Sequence, residues 1–92
     1  MKWEDYKQKI KAEDPNAKEI IEEAEEQAVI IASMITKRAE LGLSQRDLAA
    51  LCDIPQSSVA RIESYQTTPR LDTVLKILRQ LGLTLRVVPS EK

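Results

Sequence analysis

The sequence predicts a mainly α-helical protein that ends in one β-strand. Apolar residues recur at helical spacing along most of the 92-residue chain, and glycine or proline stands where the periodic segments stop. At residues 83–88 the apolar period falls to two, which is typical of a strand. A chain of this length supports one hydrophobic core with at most an added arm.

The N-terminal third predicts a short helical arm followed by a long helix. The apolar residues of the arm share one helix face: Trp3, Tyr6 and Ile10. Asp14-Pro15 interrupts the arm, and helical periodicity then returns over residues 16–41 until Gly42 caps the helix. The acidic run at residues 22–26 leaves open whether the long helix is broken there.

A capping signal marks the start of the next helix. The Ser44 hydroxyl can accept a backbone N–H from the first turn, and Asp47 completes a short capping box. We therefore predict a helix over residues 45–52. Its inward side chains are expected to be Leu48, Ala49, Leu51 and the small core residue Cys52, and Met34 of the preceding helix is also expected in the core.

A second short helix is predicted after a tight turn at Asp53-Ile54. Pro55 has the fixed φ that suits a first helical turn, and the helix should end near Ser64. Val59 and Ile62 are expected to face the core. The side chains left for solvent or a ligand are Gln56, Ser57, Ser58, Ala60 and Arg61.

The C-terminal part predicts a last helix and the strand. The apolar positions of the helix are Leu71, Val74, Leu75, Leu78 and Leu81, and Gly82 stops it. In the strand, ended by Pro89, the residues on one face are Leu83, Leu85 and Val87. Because a lone strand cannot satisfy its backbone groups, we expect it to pair with the same strand of a second copy in a homodimer.

The residue types argue against several classes of site. The chain has no His and a single Cys, so neither a metal site nor an internal disulfide is expected. We find no catalytic constellation and no glycine-rich phosphate loop, and therefore expect neither an enzyme nor a cofactor. No leader opens the sequence and the longest apolar run, Ala28–Ala32, is far short of a membrane span, so we expect a cytoplasmic protein.

Charge is distributed unevenly along the chain, whose net charge is −1. Residues 1–35 hold five Lys and nine acidic residues, a charge of −4, whereas residues 36–92 hold nine basic and six acidic residues, a charge of +3. This asymmetry favours two surfaces with different partners, although solvated helix faces can give the same split.

The segment from Leu43 to Leu83 resembles the lambda-repressor/Cro-like (XRE) helix-turn-helix family. The resemblance is carried by the Ser-Gln opening, the Leu-Ala pair, the Val-x-x-Ile-Glu run and the closing Pro-x-Leu-x-Thr-x-x-Lys-Ile-x-x-x-Leu-Gly. It implies a five-helix domain in which residues 45–64 form the two-helix DNA-binding unit. It also implies that Arg38 and Glu63 form an internal ion pair rather than contact DNA.

The resemblance and the chemistry of the side chains together give a set of candidate contacts with double-stranded operator DNA. Gln56 is expected to approach base edges with Ser57 and Arg61, since Gln can pair with adenine and Arg with guanine in the major groove. Gln45 is expected to hold a backbone phosphate. Ser57 and Ser58 are equally suited to phosphate contact, and the remaining candidates for such a contact are Arg46, Thr67, Thr68 and Arg70.

The two ends of the chain are similar to those of HigA-type antitoxins, in the acidic extension and the terminal Leu-x-Val-Val-Pro. This resemblance implies a HigB/RelE-like ribonuclease toxin as partner. It also implies that the protein is bacterial, lies at the nucleoid and represses its own operon. We assign residues 1–27 to toxin contact, 28–82 to DNA binding and 83–92 to dimerisation. Trp3, Tyr6 and Ile10 either anchor the toxin or fold back on the domain. The alternatives to an antitoxin are a stand-alone XRE repressor and a protein adaptor.

Three residues depart from the XRE pattern. Asp53 stands where Gly is usual in the turn, and Asp tolerates the left-handed conformation better than most residues. Pro55 replaces a Ser or Thr cap. Tyr65 replaces the Gly that commonly follows the second helix, so either Tyr65 accepts strain or the helix ends differently.

Overall fold

The computed structural model describes residues 2–90, which form five helices. The helices are α1 (Trp3–Glu13), α2 (Pro15–Glu40), α3 (Gln45–Cys52), α4 (Gln56–Glu63) and α5 (Leu71–Gln80). This confirms the mainly helical fold class. Residue 1 of the predicted toxin-contact segment and residues 91–92 of the predicted dimerisation segment lie outside the described residues.

The chain divides into two compact units, one ending at Ile30 and the other beginning at Ile31. α2 spans this boundary and contributes residues to both units. The helix is continuous through residues 22–26, where the sequence did not decide whether it is broken. The assignment of separate roles to residues 1–27, 28–82 and 83–92 stays a prediction.

The first unit holds α1 against α2 through ion pairs. The Glu25 carboxylate of α2 forms ion pairs with two lysines of α1. Its Oε2 lies 3.4 Å from Lys7 Nζ and its Oε1 lies 2.9 Å from Lys11 Nζ. Lys7 is the one buried residue among residues 2–30. Its hydrogen bond to Glu4 and its contact with Glu25 raise its pKa, while the hydrogen bonds from Lys11 and Lys7 lower the pKa of Glu25. Charge pairing, rather than a buried apolar stripe, therefore connects the two helices.

The second unit contains the hydrophobic core. α3 packs on both α4 and α5, and every apolar side chain that is buried lies in this unit. These residues are Ile31, Met34, Leu48, Ala49, Cys52, Val59, Ile62, Val74, Ile77, Leu78 and Leu81. Cys52 is a core residue, as predicted, and burial raises the pKa of its thiol.

One predicted core position is wrong, because Leu51 is 49% exposed. Among the apolar positions that predicted the last helix, Leu71 and Leu75 are 64% and 43% exposed, whereas Ile77, which was not among them, is completely buried. Each of the three leucines lies on the flank of its helix's apolar stripe, where helical spacing alone does not show which flank a neighbouring helix covers.

Local capping fixes the ends of the helices. Ser44 Oγ accepts the Asp47 N–H at 2.9 Å and Asp47 Oδ2 accepts the Ser44 N–H at 2.9 Å, which confirms the predicted capping box of α3. α2 begins at Pro15, and the side chain of the preceding residue, Asp14, accepts the Asn16 N–H. A residue with positive φ follows each of the four helices α2 to α5 within two positions: Gly42, Asp53, Tyr65 and Gly82.

The predicted C-terminal strand is not formed. Residues 83–90 carry no strand, and none occurs elsewhere in the described range. A strand is defined by hydrogen bonds to a neighbour, and a single copy of this chain offers no second strand to make them. Leu83 is half-buried, whereas Leu85 is 37% and Val87 fully exposed.

Candidate nucleic-acid interface

One face of α4 is polar and open to solvent. Val59 and Ile62 are buried in the core, which turns Gln56, Ser57 and Arg61 outward. Pro55, with φ −64° and ψ 145°, sets the start of the helix, although it caps α4 from just outside rather than lying in its first turn. The predicted base-reading side chains of α4 therefore share an exposed surface.

A shallow cleft brings five of the predicted DNA-contacting residues together. It has a volume of about 270 Å³ and lies between α4 and the segment that leads into α5. The predicted contact residues that line it are Ser58, Arg61, Thr67, Thr68 and Arg70. Hydroxyl and guanidinium groups both donate hydrogen bonds to phosphate oxygens.

The same region presents almost no negative charge. Glu63 is the one acidic residue between residues 54 and 71, and its side chain is only 6% exposed and paired with Arg38. Arg70 lies 3.4 Å from Asp72, but both side chains are largely exposed, so this contact leaves the guanidinium accessible. The cleft is therefore suited to an anionic ligand.

An ion pair beneath this surface fixes the C-terminal end of α4. Glu63 Oε2 accepts Arg38 Nε and Glu63 Oε1 accepts Arg38 Nη2, both at 2.7 Å, and Arg38 Nη1 also donates to the Leu43 carbonyl at 2.8 Å. The hydrogen bonds to Glu63 raise the pKa of Arg38. The internal pair that the family resemblance implies is thus present.

Gln45 is joined to the same ion pair, a link that sequence reasoning missed. Its amide Nε2 donates to Glu63 Oε1 at 3.0 Å, so the first residue of α3 is tied to the last residue of α4. The N-terminus of α3 also carries the Asp47 carboxylate, whose pKa is lowered by its hydrogen bonds from Ser44. The phosphate contact predicted for Gln45 stays a prediction, as does that of exposed Arg46.

The predicted partner-binding aromatics lie on α1. The rings of Trp3 and Tyr6 contact each other, with centroids 5.9 Å apart and planes inclined by 38°. Trp3 is 62% and Tyr6 48% exposed, whereas Ile10 is half-buried. The two rings form an exposed apolar pair within the acidic first unit.

Two further kinds of site were sought among the described residues. Across residues 2–90, no cluster of His, Cys, Asp and Glu has the grouping a metal ion would need. No helix in that range combines the length and apolar character needed to cross a bilayer.

Comparison with known proteins identifies related chains. Residues 34–88, more than half of the chain, match the helix-turn-helix family. An uncharacterised HTH-type transcriptional regulator of Haemophilus influenzae is 41% identical over 87 residues, which cover 95% of this chain and 84% of that protein. The antitoxin HigA1 of Mycobacterium tuberculosis is 32% identical over 77 residues, and this chain spans only 52% of its length.

A solved structure extends the similarity to three dimensions. A chain of a toxin-antitoxin module from Streptococcus pneumoniae superposes with a TM-score of 0.76 at 38% sequence identity. The match covers 98% of this chain and 94% of the other. The similarity therefore includes α1 and the first half of α2 as well as the helices that surround the core.

Proposed function

This chain belongs to the XRE-type helix-turn-helix family, with HigA antitoxin among its relatives, and we propose that it is a DNA-binding antitoxin. In this proposal α4 reads operator DNA, and the first unit binds and neutralises a toxin. The observation that carries it is the polar face of α4 with its adjoining cleft, which combines guanidinium and hydroxyl groups and has no carboxylate among its lining residues. Helix-turn-helix regulators and antitoxins are in general not enzymes.

The geometry supports readout of the major groove by α4. An α-helix fits that groove, and residues near the N-terminus of a recognition helix contact base edges. Gln56 and Ser57 occupy the first turn of α4, and Arg61 follows one turn later on the same exposed side. We assign base recognition to these residues. Phosphate contact is assigned to Ser58, Arg46, Gln45, Thr67, Thr68 and Arg70.

Selection from random DNA tests this assignment. The full chain is incubated with a pool of random 30-base-pair duplexes, and the enriched sequence is then titrated at two salt concentrations. We expect saturable binding that weakens steeply with salt, because basic side chains release counterions from the duplex. Gln56→Ala should lose sequence preference while the melting temperature is retained. Failure of the wild-type chain to enrich any sequence would contradict DNA recognition and favour the adaptor alternative.

The first unit is suited to a basic protein partner. Residues 2–30 hold five Lys against nine acidic residues, and Trp3 and Tyr6 add an exposed aromatic pair of the kind that anchors interfaces. The Streptococcus structure is described as a toxin-antitoxin module and matches this unit as well. We propose a HigB/RelE-like ribonuclease toxin as the partner, and repression of the shared operon in the bacterial cytoplasm, at the nucleoid.

Co-purification with the product of the neighbouring gene tests the partner. Tagged wild-type protein should retain a small basic protein, and Trp3→Ala together with Tyr6→Ala should weaken this capture while sparing DNA binding. Ile20→Ala is the matched control, since Ile20 is 65% exposed on α2 of the same unit but lies outside the aromatic pair. Equal capture by the double variant and the wild type would remove these aromatics from the interface.

We also propose that a homodimer binds the operator, because the DNA face of one copy carries few basic residues. The alternating residues 83–88 remain the candidate dimer segment, with Leu83, Leu85 and Val87 on the paired strand. Leu85→Pro removes a backbone donor and should convert dimer to monomer in light scattering. A dimer that persists in this variant would place the dimer contact elsewhere.

A stand-alone repressor is the second candidate, and a specific observation favours it. The Haemophilus relative, with the higher identity over more of this chain, is described only as a transcriptional regulator. Both candidates require DNA binding, so the neighbouring gene product decides between them. If that product is not captured while operator binding is retained, the stand-alone repressor is the correct function.

A further inference from the structure

Tyr65 has a backbone conformation that disfavours its side chain. Its φ is +61°, in the left-handed region, and Asp53 is the one other non-glycine residue with positive φ among residues 2–90. Asp tolerates this region through its short polar side chain, whereas an aromatic residue there is an outlier. Glycine could adopt the same conformation without that cost.

The end of α4 requires the left-handed conformation at this position. The Tyr65 N–H donates to the Ile62 carbonyl at 3.1 Å, and the Gln66 N–H donates to the Arg61 carbonyl at 2.9 Å. These two bonds form a Schellman motif, which closes a helix with one left-handed residue. The chain therefore keeps the motif and places a tyrosine where glycine would relieve the strain.

Packing does not explain the tyrosine. Its side chain is 55% exposed, so the ring contributes little to the hydrophobic core. Residues held in strained conformations occur preferentially at functional sites, where the side chain serves a purpose other than folding. An exposed aromatic ring with a hydroxyl at its tip can serve as a hydrogen-bond donor to a ligand.

Tyr65 lies beside the proposed DNA surface. It follows α4 by two residues and precedes Thr67, Thr68 and Arg70, which line the cleft with Arg61. All residues from Ser64 to Arg70 are uncharged or basic. An anionic group that approaches the cleft therefore meets no carboxylate on this segment.

We propose that Tyr65 is a DNA-backbone contact, with its hydroxyl donating a hydrogen bond to a phosphate oxygen at the edge of the site that α4 reads. This inference rests on the proposed DNA-binding function. A phosphate contact positions the protein without reading sequence. Tyr65 would thus strengthen binding to every duplex by the same factor and leave base preference to α4.

Two substitutions separate the hydroxyl from the strain. Tyr65→Phe retains the ring and the left-handed backbone but removes the donor, and should weaken binding to the enriched 30-base-pair duplex roughly tenfold. Tyr65→Gly should weaken binding at least as much, yet raise the melting temperature by about 4 °C because the strain is relieved. Thr36→Val removes an exposed hydroxyl from α2 and should change neither quantity.

The form of the loss identifies the contact. For Tyr65→Phe, the ratio of affinities for the enriched duplex and a scrambled duplex should stay the same, since no base contact is lost. The dependence of affinity on salt should also stay the same, because a hydroxyl group carries no positive charge and releases no counterion. Duplexes with a single methylphosphonate should reveal one position at which wild-type binding weakens and Tyr65→Phe binding does not.

The outcomes distinguish this inference from the proposed function. If the wild-type chain enriches no sequence, DNA recognition itself is wrong and the Tyr65 contact is lost with it. If wild-type protein binds and Tyr65→Phe binds equally well, DNA recognition stands and the hydroxyl contact is wrong. If Tyr65→Phe loses affinity for DNA together with a matching fall in its melting temperature, the hydroxyl supports the fold rather than a phosphate contact, and the inference is equally overturned.

Discussion

Arg38 and Glu63 are joined by two parallel hydrogen bonds of 2.7 Å, which connect the last turn of α2 to the last residue of α4. The side chains are 17% and 6% exposed, so the pair is shielded from most of the surrounding water. Arg38 also holds the Leu43 carbonyl, and Gln45 donates to the same Glu63 carboxylate. Three segments of the second unit therefore meet at one charged contact that sets the orientation of α4.

Removal of the arginine should destabilise the second unit more than an exposed ion pair would. Arg38→Met leaves the Glu63 carboxylate nearly buried with Gln45 as its remaining donor, and we expect a loss of about 2 kcal/mol in the free energy of unfolding. Because Arg38 keeps some exposure, this value lies below that for a fully buried pair. Urea denaturation followed by circular dichroism measures the change.

A double-mutant cycle separates the pair from its surroundings. Arg38→Met combined with Glu63→Leu should lose less stability than the two single variants added together, since neither charge is then left alone. Additive losses would show that the two residues act independently.

The capping box of α3 should make stability depend on pH in the acidic range. The backbone and side-chain hydrogen bonds with Ser44 hold the pKa of Asp47 below its ordinary value. The folded protein thus binds this proton less readily than the unfolded chain, and the stabilisation is present above about pH 4 and lost as the pH falls through the folded pKa. Thermal unfolding from pH 6 to pH 2 should show a smaller decline in Asp47→Asn than in the wild type.

The serine of the same box gives a test that does not involve titration. Ser44→Ala removes the acceptor of the Asp47 N–H and should cost about 1 kcal/mol at pH 7. Thr84→Ala, which removes an exposed hydroxyl outside the five helices, serves as the surface control. Identical melting temperatures for Ser44→Ala and the control would show that the cap contributes nothing measurable.

Features set by neighbouring residues could be predicted from the sequence. The capping box joins residues three apart, and the left-handed turn at Asp53 depends on the residue itself, so both follow from local chemistry. The pair between Arg38 and Glu63, 25 residues apart, could be predicted only through the family resemblance. The contact between Gln45 and Glu63 has no sequence signal, because a glutamine at a helix start is equally consistent with solvent, phosphate or a side-chain partner.

The remaining differences arise where tertiary packing decides. Leu48 and Leu51 both fit a helical apolar stripe, but only Leu48 is covered by the rest of the core. Tyr65 illustrates another limit. The steric preference of a tyrosine shows that the left-handed conformation is costly, but it does not show whether the chain adopts that conformation. The C-terminal segment depends on a second copy, so its pairing is not determined within one chain.

The contrast between Leu48 and Leu51 is directly measurable. Leu48 is fully buried, and Leu48→Ala should lower the free energy of unfolding by about 2–5 kcal/mol through lost burial and the cavity left behind. Leu51→Ala makes the same chemical change at a position that is 49% exposed, and we expect a loss of less than about 1 kcal/mol. Similar losses for the two variants would mean that Leu51 is covered in solution, for example by a second copy.

Loss of the Glu25 carboxylate should loosen α1. Glu25 receives both Lys7 and Lys11, and residues 2–30 contain no buried apolar side chain to hold the helix in its place. Glu25→Gln should therefore raise amide hydrogen exchange in α1 severalfold while α3, α4 and α5 stay protected. The pKa of Glu25 is lowered by its lysine contacts, so the stabilisation is present above about pH 4 and lost below it, and acidification should reproduce the effect in the wild type. Glu26→Gln removes a neighbouring exposed carboxylate and is the matched control, and equal exchange in the two variants would show that α1 does not depend on this ion pair.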